Sequence, residues 1–356
     1  MTQQKILIIG AGISGIALAK HFIDRNHSIT IIDSGINRSS VVAAGMINPI
    51  VFRRMTKSWR VDEFLPYLEN FYTSFENECG ETFFIPITIR RLFSTDQERL
   101  LWIERQGNDS FNEYIYPLTE ADNQFDEAIN QFGSGRVKRS AYISTSIFLE
   151  ATKNWIRKTN TVLQENLNYL DIDPENSTYK GQKYDHIIFC EGVEVRHNPW
   201  FQNMPINPTQ GETLTITSKE IIENESLNRK CFVLPIGNHQ FKVGSTYIWD
   251  TYNSDITEAG KTEIEKNIKF LTESRYEIIE QNAGIRPTTL DRRPLIGTHP
   301  SYSNIHIFNG LGAKGYMLAP LLAKEMVEHI LDGKLLDKEI SISRLIKKEE
   351  GKSKKV

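Results

Sequence analysis

Cysteine is scarce in this sequence. Cys79, Cys190 and Cys231 are scattered along 356 residues, and their spacing matches no metal site. A small odd number of cysteines is typical of a reducing compartment and argues against a framework of disulfides. We therefore expect a cytoplasmic protein that binds no metal.

Long hydrophobic runs are also absent. No apolar stretch approaches the roughly 20 residues that a membrane-spanning helix needs. The first residues, MTQQKILIIG, contain an apolar run that is too short for a signal peptide and that leads directly into a glycine motif. The sequence therefore predicts no membrane span, which supports the expected cytoplasmic location.

The chain has no large excess of charge of either sign. Its 42 basic and 45 acidic residues give a net charge of −3, so no broad basic field would attract nucleic acid. A hydrophobic share of 39% is typical of a soluble globular protein, and the length suits two domains. One short basic cluster is either a solvated face or a contact for an anionic substrate; it comprises Arg53, Arg54, Lys57 and Arg60.

The stretch from Lys5 to Asp33 carries the most informative pattern. An apolar run, Ile6 to Ile9, predicts a buried parallel strand, and a second run, Ile29 to Ile32, predicts its neighbour. Between them, three glycines in G-x-G-x-x-G spacing open a segment whose apolar residues recur at helical intervals. This order of elements is typical of a site for an adenine dinucleotide: a strand, a tight turn, a helix and a second strand that ends in an acidic residue.

Each part of this pattern has a physical task. Gly10 permits the turn, Gly12 lets the backbone approach a pyrophosphate, and Gly15 lets the helix pack on the strand. The helix N-terminus offers free N–H groups and a positive dipole to phosphate. Asp33 is placed to accept hydrogen bonds from a ribose diol, which disfavours NADP but leaves FAD and NAD as alternatives.

Apolar spacing predicts several further elements before residue 195. It predicts helices over Asp62–Glu78, Asp96–Gln106 and Ser144–Lys158, and strands over Pro86–Ser94 and Ile187–Phe189. The aromatic residues of the first helix are expected to form core. Residues 107–135 are polar and predict no defined element.

The second half of the chain changes character twice. Residues 195–285 have the pattern of antiparallel strands, with a hairpin turn at Gly237-Asn238. Residues 283–300 are rich in Arg and Pro and predict a loop. The chain then returns to the strand–glycine–helix pattern of its first residues. A strand is predicted over Ile305–Phe308, followed by a group of glycines and a helix to Leu331.

Seven motifs spread over nearly the whole chain are informative together. They are GAGISG with Asp33, AAGMINP, YDHIIFCEG, NPTQGETL, LPIGNHQFKVGST, AGIRPTTLDRRPLIG and GLGAKGYMLAP. With them the sequence resembles the FAD-dependent D-amino acid oxidase family. This family includes glycine oxidase, sarcosine oxidase and the oxidase module of the tRNA wobble-uridine methylaminomethyl modification enzyme.

The resemblance implies an α/β fold with two domains that are discontinuous in sequence. A Rossmann-like FAD-binding domain would comprise residues 1–45, 136–195 and 284–345. An α+β substrate domain with an antiparallel sheet would comprise residues 46–135 and 196–283. The remaining residues, 346–356, would form a disordered tail.

The resemblance also implies which residues bind FAD. Residues 43–47 would line the flavin ring, and the helix that begins near Gly312 would direct its positive end at the flavin N1–C2 edge. Covalent-flavin members attach FAD through a late cysteine, and because no cysteine follows Cys231 we expect non-covalent FAD. The expected cofactor-binding residues are Gly10, Gly12, Ile13, Ser14, Gly15, Asp33, Ser34, Ala43, Ala44, Gly45, Met46, Gly192, Gly310, Gly312, Ala313, Lys314, Gly315 and Tyr316.

Arg286 is the strongest candidate for a catalytic-site residue. In the family this arginine holds the substrate carboxylate, and a guanidinium provides the planar fork that such a contact needs. The alternative is a structural arginine that pairs with Asp291. Tyr247 and Tyr316 are expected to bind or cover the substrate, with a place in the core as the alternative for each.

The implied reaction is loss of hydride from an amine-bearing carbon to flavin N5, which gives an imine that hydrolyses. The substrate would be a small amino acid or secondary amine, and oxygen or a quinone would accept the electrons. Three alternatives stay open: a tRNA wobble-uridine carboxymethylaminomethyl oxidoreductase, a non-catalytic flavin-binding protein and an NAD-dependent dehydrogenase. Two positions depart from the family: Phe232 stands where several amino acid oxidases have Tyr, and Glu191 stands where a small residue is usual.

Overall fold

A computed structural model describes residues 2–36 and 39–345 of the chain, and the tail predicted at 346–356 lies outside the described residues. The predicted opening is confirmed, since β1 (Lys5–Ile9), α1 (Ile13–Asp24) and β2 (Ser28–Ile32) follow one another. Alternate residues of β1 belong to two different apolar cores, so both faces of this strand are covered. That arrangement explains why β1 is apolar from Ile6 to Ile9 rather than alternating.

Seven further helices occur in the described part of the chain. Those predicted from apolar spacing are confirmed to within one residue at each predicted end, because a face of regular 3.6-residue period is a strong local signal. The helices are α2 (Ser39–Val42), α3 (Val61–Cys79), α4 (Asp96–Gln106), α5 (Glu120–Asn123), α6 (Thr145–Arg157), α7 (Glu258–Ile268) and α8 (Gly315–Asp332).

The remaining strands are mostly short. They are β3 (Met46–Ile47), β4 (Ile50–Val51), β5 (Thr56–Lys57), β6 (Phe84–Pro86), β7 (Thr88–Leu92), β8 (Ser134–Val137), β9 (Ala141–Ile143), β10 (Thr161–Leu163), β11 (Ile172–Asp173), β12 (Thr178–Tyr179), β13 (Gln182–Lys183), β14 (His186–Phe189), β15 (Ile206–Thr217), β16 (Glu225–Asn228), β17 (Phe232–Gly237), β18 (Gln240–Gly244), β19 (Ile248–Trp249), β20 (Glu277–Thr289), β21 (Leu295–Thr298) and β22 (Ile305–Asn309).

A largely parallel sheet organises the first and last parts of the chain. Among the described residues it has six strands, in the order β10-β2-β1-β14-β22-β21, and only β21 runs antiparallel to its neighbour. The carboxyl ends of β1, β2, β14 and β22 therefore lie at one edge. In open sheets of this kind, ligands bind at that edge.

A second, mostly antiparallel sheet is built from the middle of the chain. Its order is β19-β15-β18-β17-β16-β7-β8, and β20 pairs with β15. The predicted hairpin is confirmed as β17 and β18, but its turn lies one residue later than predicted. Gly237 pairs with Gln240, and the turn is formed by Asn238 and His239, both at positive φ. Residues in that conformation match the twist of the two strands that they join.

The loop predicted over residues 283–300 is wrong. Strand β20 continues to Thr289 and pairs with β15 along almost its full length, and β21 then extends the parallel sheet. Pro287 is tolerated because β20 lies at an edge, where its missing N–H breaks no ladder. The prolines and arginines of this segment indicated a loop, whereas the segment is a strand because it pairs with β15, about 70 residues earlier in the sequence.

The aromatic residues predicted for the core of α3 are buried as expected. Tyr72 and Phe75 contact Phe148 of α6 in edge-to-face geometry, with ring centroids 5.8 and 6.2 Å apart. Such pairs add stability beyond the apolar area that they bury. Helices α3 and α6 thus support α1 and α8, whose N-termini approach the edge of the parallel sheet.

Within residues 2–36 and 39–345, no helix is both long and apolar enough to cross a membrane. The same residues contain no group of three or more His, Cys, Asp or Glu side chains that could hold a metal ion. The division into FAD-binding and substrate domains and the cytoplasmic location stay predictions.

Candidate functional site

A cavity of about 650 Å³ opens at the carboxyl edge of the parallel sheet. Gly10 follows β1, Asp33 follows β2, Glu191 follows β14 and Asn309 ends β22, and all four line this cavity. Residues of β15 and β20 line it as well. The cavity is therefore bounded by both sheets.

The glycine turn after β1 is required by close packing. Gly10 has φ +106°, and a Cβ atom at this position would lie 2.5 Å from the carbonyl oxygen of Cys190. A Cβ atom on Gly15 would lie 1.9 Å from the carbonyl oxygen of Gly10. Gly15 thus lets α1 pack against β1, as the sequence predicted, and it does not itself line the cavity. Gly310, another expected cofactor residue, also lies outside the lining, where its bare backbone packs against Leu295.

The N-terminus of α1 faces the cavity. Gly12 occupies the cap position and has no side chain to cap the helix, and the Ile13 N–H group instead donates a hydrogen bond to Ser40 Oγ at 3.2 Å. Ile13 and Ser14 both line the cavity. An exposed helix N-terminus presents N–H groups and a positive dipole to an anion.

A second helix begins at the same cavity. Gly312, at φ +56°, leads through Ala313 and Lys314 into α8, which starts at Gly315. A Cβ atom on Gly315 would lie 3.2 Å from the side chain of Ile13, so the two helix N-termini converge. The positive ends of two helix dipoles, those of α1 and α8, therefore face the cavity.

Asp33 and Ser34 line the cavity beyond the end of β2. The Asp33 carboxylate accepts a hydrogen bond from Lys153 Nζ at 2.8 Å, and its backbone N–H donates to the Leu163 carbonyl oxygen at 3.0 Å. These contacts fix the orientation of the carboxylate. The predicted acceptor for a ribose diol is therefore held at the cavity wall.

The small residues after α2, Ala43 to Gly45, also line the cavity, as does Met46. Gly45 is at φ +66°, and a Cβ atom there would lie 2.1 Å from the Ile143 carbonyl oxygen. Lys242 Nζ donates to the Ala43 carbonyl oxygen at 3.0 Å, and burial lowers the pKa of Lys242 to about 8. Sequence reasoning missed this lysine, although a cation between the buried residues of β18 was a usable signal.

Arg286, on β20, points its guanidinium into the cavity wall. Its Nη2 donates to Ser245 Oγ at 2.7 Å, and its Cζ lies 4.3 Å from the centre of the Tyr247 ring. Burial lowers the pKa of Arg286, which nevertheless stays charged at neutral pH because arginine is so basic. Asp291, the alternative partner, instead accepts hydrogen bonds from Arg344 Nε at 3.2 Å and from the Arg293 N–H at 3.0 Å.

The two candidate tyrosines differ sharply in exposure. Tyr247 lines the cavity with 54% of its surface exposed, as a residue at a cavity mouth would. Tyr316 is only 4% exposed, and its hydroxyl donates to the Ser40 carbonyl oxygen at 2.8 Å. Burial raises the pKa of Tyr316. Its hydroxyl therefore tethers the segment around Ser40, and of the two tyrosines Tyr247 has the freer side chain.

Two further titratable groups in the cavity wall have shifted pKa values. Burial raises the pKa of Glu191 to about 7, against hydrogen bonds from Tyr169 Oη at 2.6 Å and Asn198 Nδ2 at 2.8 Å that favour its charged form. Burial lowers the pKa of Lys314 to about 8, and its Nζ donates to Ser58 Oγ. Sequence reasoning noted Glu191 as unusual but assigned it no place in the site.

The described residues fit a dinucleotide. Two helix N-termini suit phosphate, the Asp33 carboxylate suits a ribose, and the bare backbone of Gly12 and Gly312 leaves room beside them. The cavity volume falls within the roughly 300–1,000 Å³ that is usual for small-molecule sites. Residues 43–45, two alanines and a glycine, add a stretch of wall without bulky side chains.

Comparison with known proteins agrees with this fit. The model of the FAD dependent oxidoreductase family, DAO, matches residues 5–329. Glycine oxidase from Bacillus licheniformis is 22% identical over 347 residues, which cover 91% of this chain and 92% of that protein. Glycine oxidase from Bacillus subtilis (strain 168) is also 22% identical and covers 88% of this chain and 89% of its own length.

Solved structures show the same fold. Glycine oxidase from Geobacillus kaustophilus matches with a TM-score of 0.80 at 17% identity, over 94% of this chain and 97% of that chain. Iminodiacetate oxidase from Chelativorans sp. BNC1 matches with a TM-score of 0.76 at 19% identity, over the same shares. These matches confirm the α/β flavoenzyme fold expected from the sequence. Because the family model covers most of its length, this chain belongs to the FAD dependent oxidoreductase family DAO and is an FAD-dependent enzyme.

Proposed function

We propose that this enzyme oxidises a small amino acid or secondary amine at the carbon that carries the nitrogen. Arg286 is the observation on which the proposal depends, because it brings a guanidinium to the cavity that two helix N-termini share. A guanidinium binds a carboxylate through two parallel hydrogen bonds, and a fixed carboxylate also fixes the neighbouring C–H bond. Relatives named glycine oxidase and iminodiacetate oxidase support a substrate with both an amine and a carboxylate.

FAD would be held without a covalent bond. The first turn of α1 would bind its pyrophosphate, Asp33 would bind the adenosine ribose, and residues 43–46 would lie along the flavin. When bound, FAD supplies N5 as acceptor for the hydride that leaves the substrate carbon. The product is an imine, which water hydrolyses, and oxygen or a quinone would take up the electrons.

Positive charge on the cavity wall suits a cofactor that gains electrons. The N-terminus of α8 and the Lys314 ammonium group both lie in this wall. Fixed dipoles and cations stabilise negative charge more effectively in a cavity that is partly shielded from water. The wall of α8 is therefore proposed as the side that meets the N1–C2 edge of the flavin.

The basic cluster at residues 53–60 gives little support to the tRNA alternative. Lys57 Nζ lies 2.5 Å from Asp62 Oδ2, and Arg60 Nη2 lies 2.8 Å from Glu63 Oε2. Lys57 and Arg60 are therefore paired and only partly exposed. Arg53 and Arg54 are the two members of this described cluster that are exposed. Retention of tRNA at low salt that weakens as salt rises would support the alternative, and no retention would remove it.

The experiment that tests the proposed function is anaerobic addition of amines to the purified protein while its visible spectrum is followed. Glycine, sarcosine and D-amino acids are the first set. Bleaching of the flavin band by one of them is the expected result. A flavin band that no amine of this set bleaches would contradict the proposed substrate class.

A further inference from the structure

Exposed apolar side chains are concentrated just after the hairpin strand β18. Five large apolar residues between positions 247 and 256 have at least 40% of their surface exposed: Tyr247 (54%), Ile248 (41%), Trp249 (49%), Tyr252 (40%) and Ile256 (55%). Isolated exposed apolar residues are ordinary, but a cluster of them beside a cavity marks a surface that binds something. Three of the five are aromatic. Two of these, Tyr247 and Trp249, lie two residues apart, and we name this pair the aromatic shelf.

The strand register places the aromatic shelf on the same side of the sheet as Arg286. Trp249 pairs with Thr209, and Thr209 pairs in turn with Arg286. Side chains of directly opposed residues in antiparallel strands project from the same face. Arg286, Thr209 and Trp249 therefore form one row across three strands.

Tyr247 connects the two ends of this row. Its ring centre lies 4.3 Å from Arg286 Cζ and 6.4 Å from the ring centre of Trp249, and the two rings are tilted by 33°. Tyr247 lines the cavity, whereas Trp249 continues the surface outward from it. An apolar surface made of two tilted rings thus extends from the guanidinium towards the solvent.

We infer that the aromatic shelf selects substrates that carry an aromatic or similarly large apolar group a few bonds from the carboxylate. This inference rests on the proposed function, in which Arg286 binds that carboxylate. The group is attached either to the nitrogen or to the α-carbon, and the shared chemistry is a carboxylate beside a planar apolar group. Glycine and sarcosine at Arg286 would meet Tyr247 but are too small to reach Trp249.

The exposed surface of the shelf favours binding of a large apolar substituent over a small one. A small substrate at Arg286 leaves Trp249, with 49% of its surface exposed, in water, so this apolar area contributes nothing to binding. An aromatic group on the shelf removes that area from water on both partners and stacks on the rings. Binding energy from this remote group also orients the reacting carbon.

The first test measures binding without turnover. Calorimetry gives the dissociation constants of acetate and phenylacetate, which both carry the carboxylate and lack the amine. We expect phenylacetate to bind at least about tenfold more tightly than acetate to the wild type, and this ratio to fall to about threefold or less in Trp249→Ala. Phe270→Ala removes an aromatic ring of similar exposure, 41%, outside the cavity lining and should keep the wild-type ratio.

Both ligands are measured on the same protein, so the ratio of their dissociation constants does not depend on a general effect of the substitution on folding or cofactor content. Equal affinities for acetate and phenylacetate in the wild type would overturn the inference. An unchanged ratio in Trp249→Ala would overturn it equally.

The second test measures anaerobic flavin reduction by matched amines. N-benzylglycine is compared with sarcosine, and D- and L-phenylalanine are compared with D- and L-alanine. A preference for N-benzylglycine identifies a nitrogen substituent, and a preference for a phenylalanine identifies a side chain. Reduction by the small amines without any preference would overturn the inference and leave the proposed function standing. If no amine reduces the flavin, the proposed function fails, and the calorimetric ratio still decides whether the shelf binds an aromatic carboxylate.

Discussion

The backbone of Gly211 lies directly against the guanidinium of Arg286. A Cβ atom on Gly211 would come within 1.9 Å of Arg286 Nη2 and 2.3 Å of its Cζ. Arg286 therefore reaches the cavity wall only because the strand opposite it has a glycine at this point. The glycine of the NPTQGETL motif thus serves the position of the arginine, and not a turn.

Gly211→Ala is predicted to displace the Arg286 guanidinium. Steady-state kinetics with a carboxylate-bearing amine should show at least a tenfold loss of kcat/KM, mainly through KM, because the lost contact holds the substrate. Gly107→Ala is the matched control, since its Cβ atom would meet the Glu104 carbonyl oxygen at an ordinary 3.5 Å. An unchanged KM in Gly211→Ala would show that the guanidinium does not bind the substrate from this position.

Gly15→Ala is predicted to separate α1 from β1. The added Cβ atom would clash with the Gly10 carbonyl oxygen at 1.9 Å, and backbone cannot move aside cheaply. Overpacking of this kind costs about 1–3 kcal/mol in the free energy of unfolding, and we expect the loss of FAD content to accompany it. Denaturant unfolding and the flavin-to-protein absorbance ratio measure the two effects.

Gly12→Ala provides the comparison for that variant. Its Cβ atom would meet only the Ser40 side chain, at 2.9 Å, which can rotate away. We expect a smaller loss of unfolding free energy than in Gly15→Ala but a clear loss of FAD affinity, since Gly12 lies at the start of α1. Equal stability losses in the two variants would contradict the separate roles assigned to these glycines.

Glu191 should make the stability of the protein depend on pH near neutrality. Burial raises its pKa in the folded state to about 7, above the roughly 4.5 of an unfolded chain. The folded state therefore holds this proton more tightly, and the resulting stability is complete below pH 4.5 and is lost as the pH rises through 7. Relative to Glu191→Gln, the unfolding free energy of the wild type should fall by on the order of 3 kcal/mol across this window. A constant difference between the two proteins would contradict the raised pKa.

His186 should have the opposite effect. Its Nδ1 lies 3.0 Å from His306 Nε2, and burial lowers the pKa of His186 to about 4. The unfolded chain binds the proton first, so stability is complete above about pH 6.5 and is lost as the pH falls through 4. His186→Gln keeps a side chain that can hydrogen-bond to His306 and should remove on the order of 3 kcal/mol of this acid sensitivity in chemical denaturation. Identical pH profiles for the variant and the wild type would contradict the prediction.

Local patterns predicted the opening unit and the long helices because their signals lie within a few neighbouring residues. The G-x-G-x-x-G turn and the apolar face of α3 are signals of this kind. Strand β20 was missed because its stability comes from β15, far away in the sequence, and because Pro287 is acceptable only at the sheet edge that this pairing creates.

The residues of the candidate site were also predictable only in part. Motif reasoning identified Arg286 and most of the glycine-rich cavity wall, since those residues occur in recognisable local sequences. It could not predict that Tyr316 would be tied to Ser40, or that Lys242 would donate to Ala43, because these contacts join segments from distant parts of the chain. For the same reason, the position of Trp249 in one row with Arg286 could not be predicted without the strand register.

The role of Arg286 as carboxylate binder is tested most directly by anaerobic flavin reduction in wild type and Arg286→Ala. The quantity to compare is the apparent dissociation constant of the amine that bleaches the wild-type flavin. We predict that Arg286→Ala raises this constant at least about 100-fold, since a charged bidentate contact is lost, and that Arg286→Lys lies between the two. For an amine without a carboxylate, such as benzylamine, the apparent dissociation constant should differ little between wild type and Arg286→Ala. Full retention of substrate affinity in Arg286→Ala would contradict the central claim.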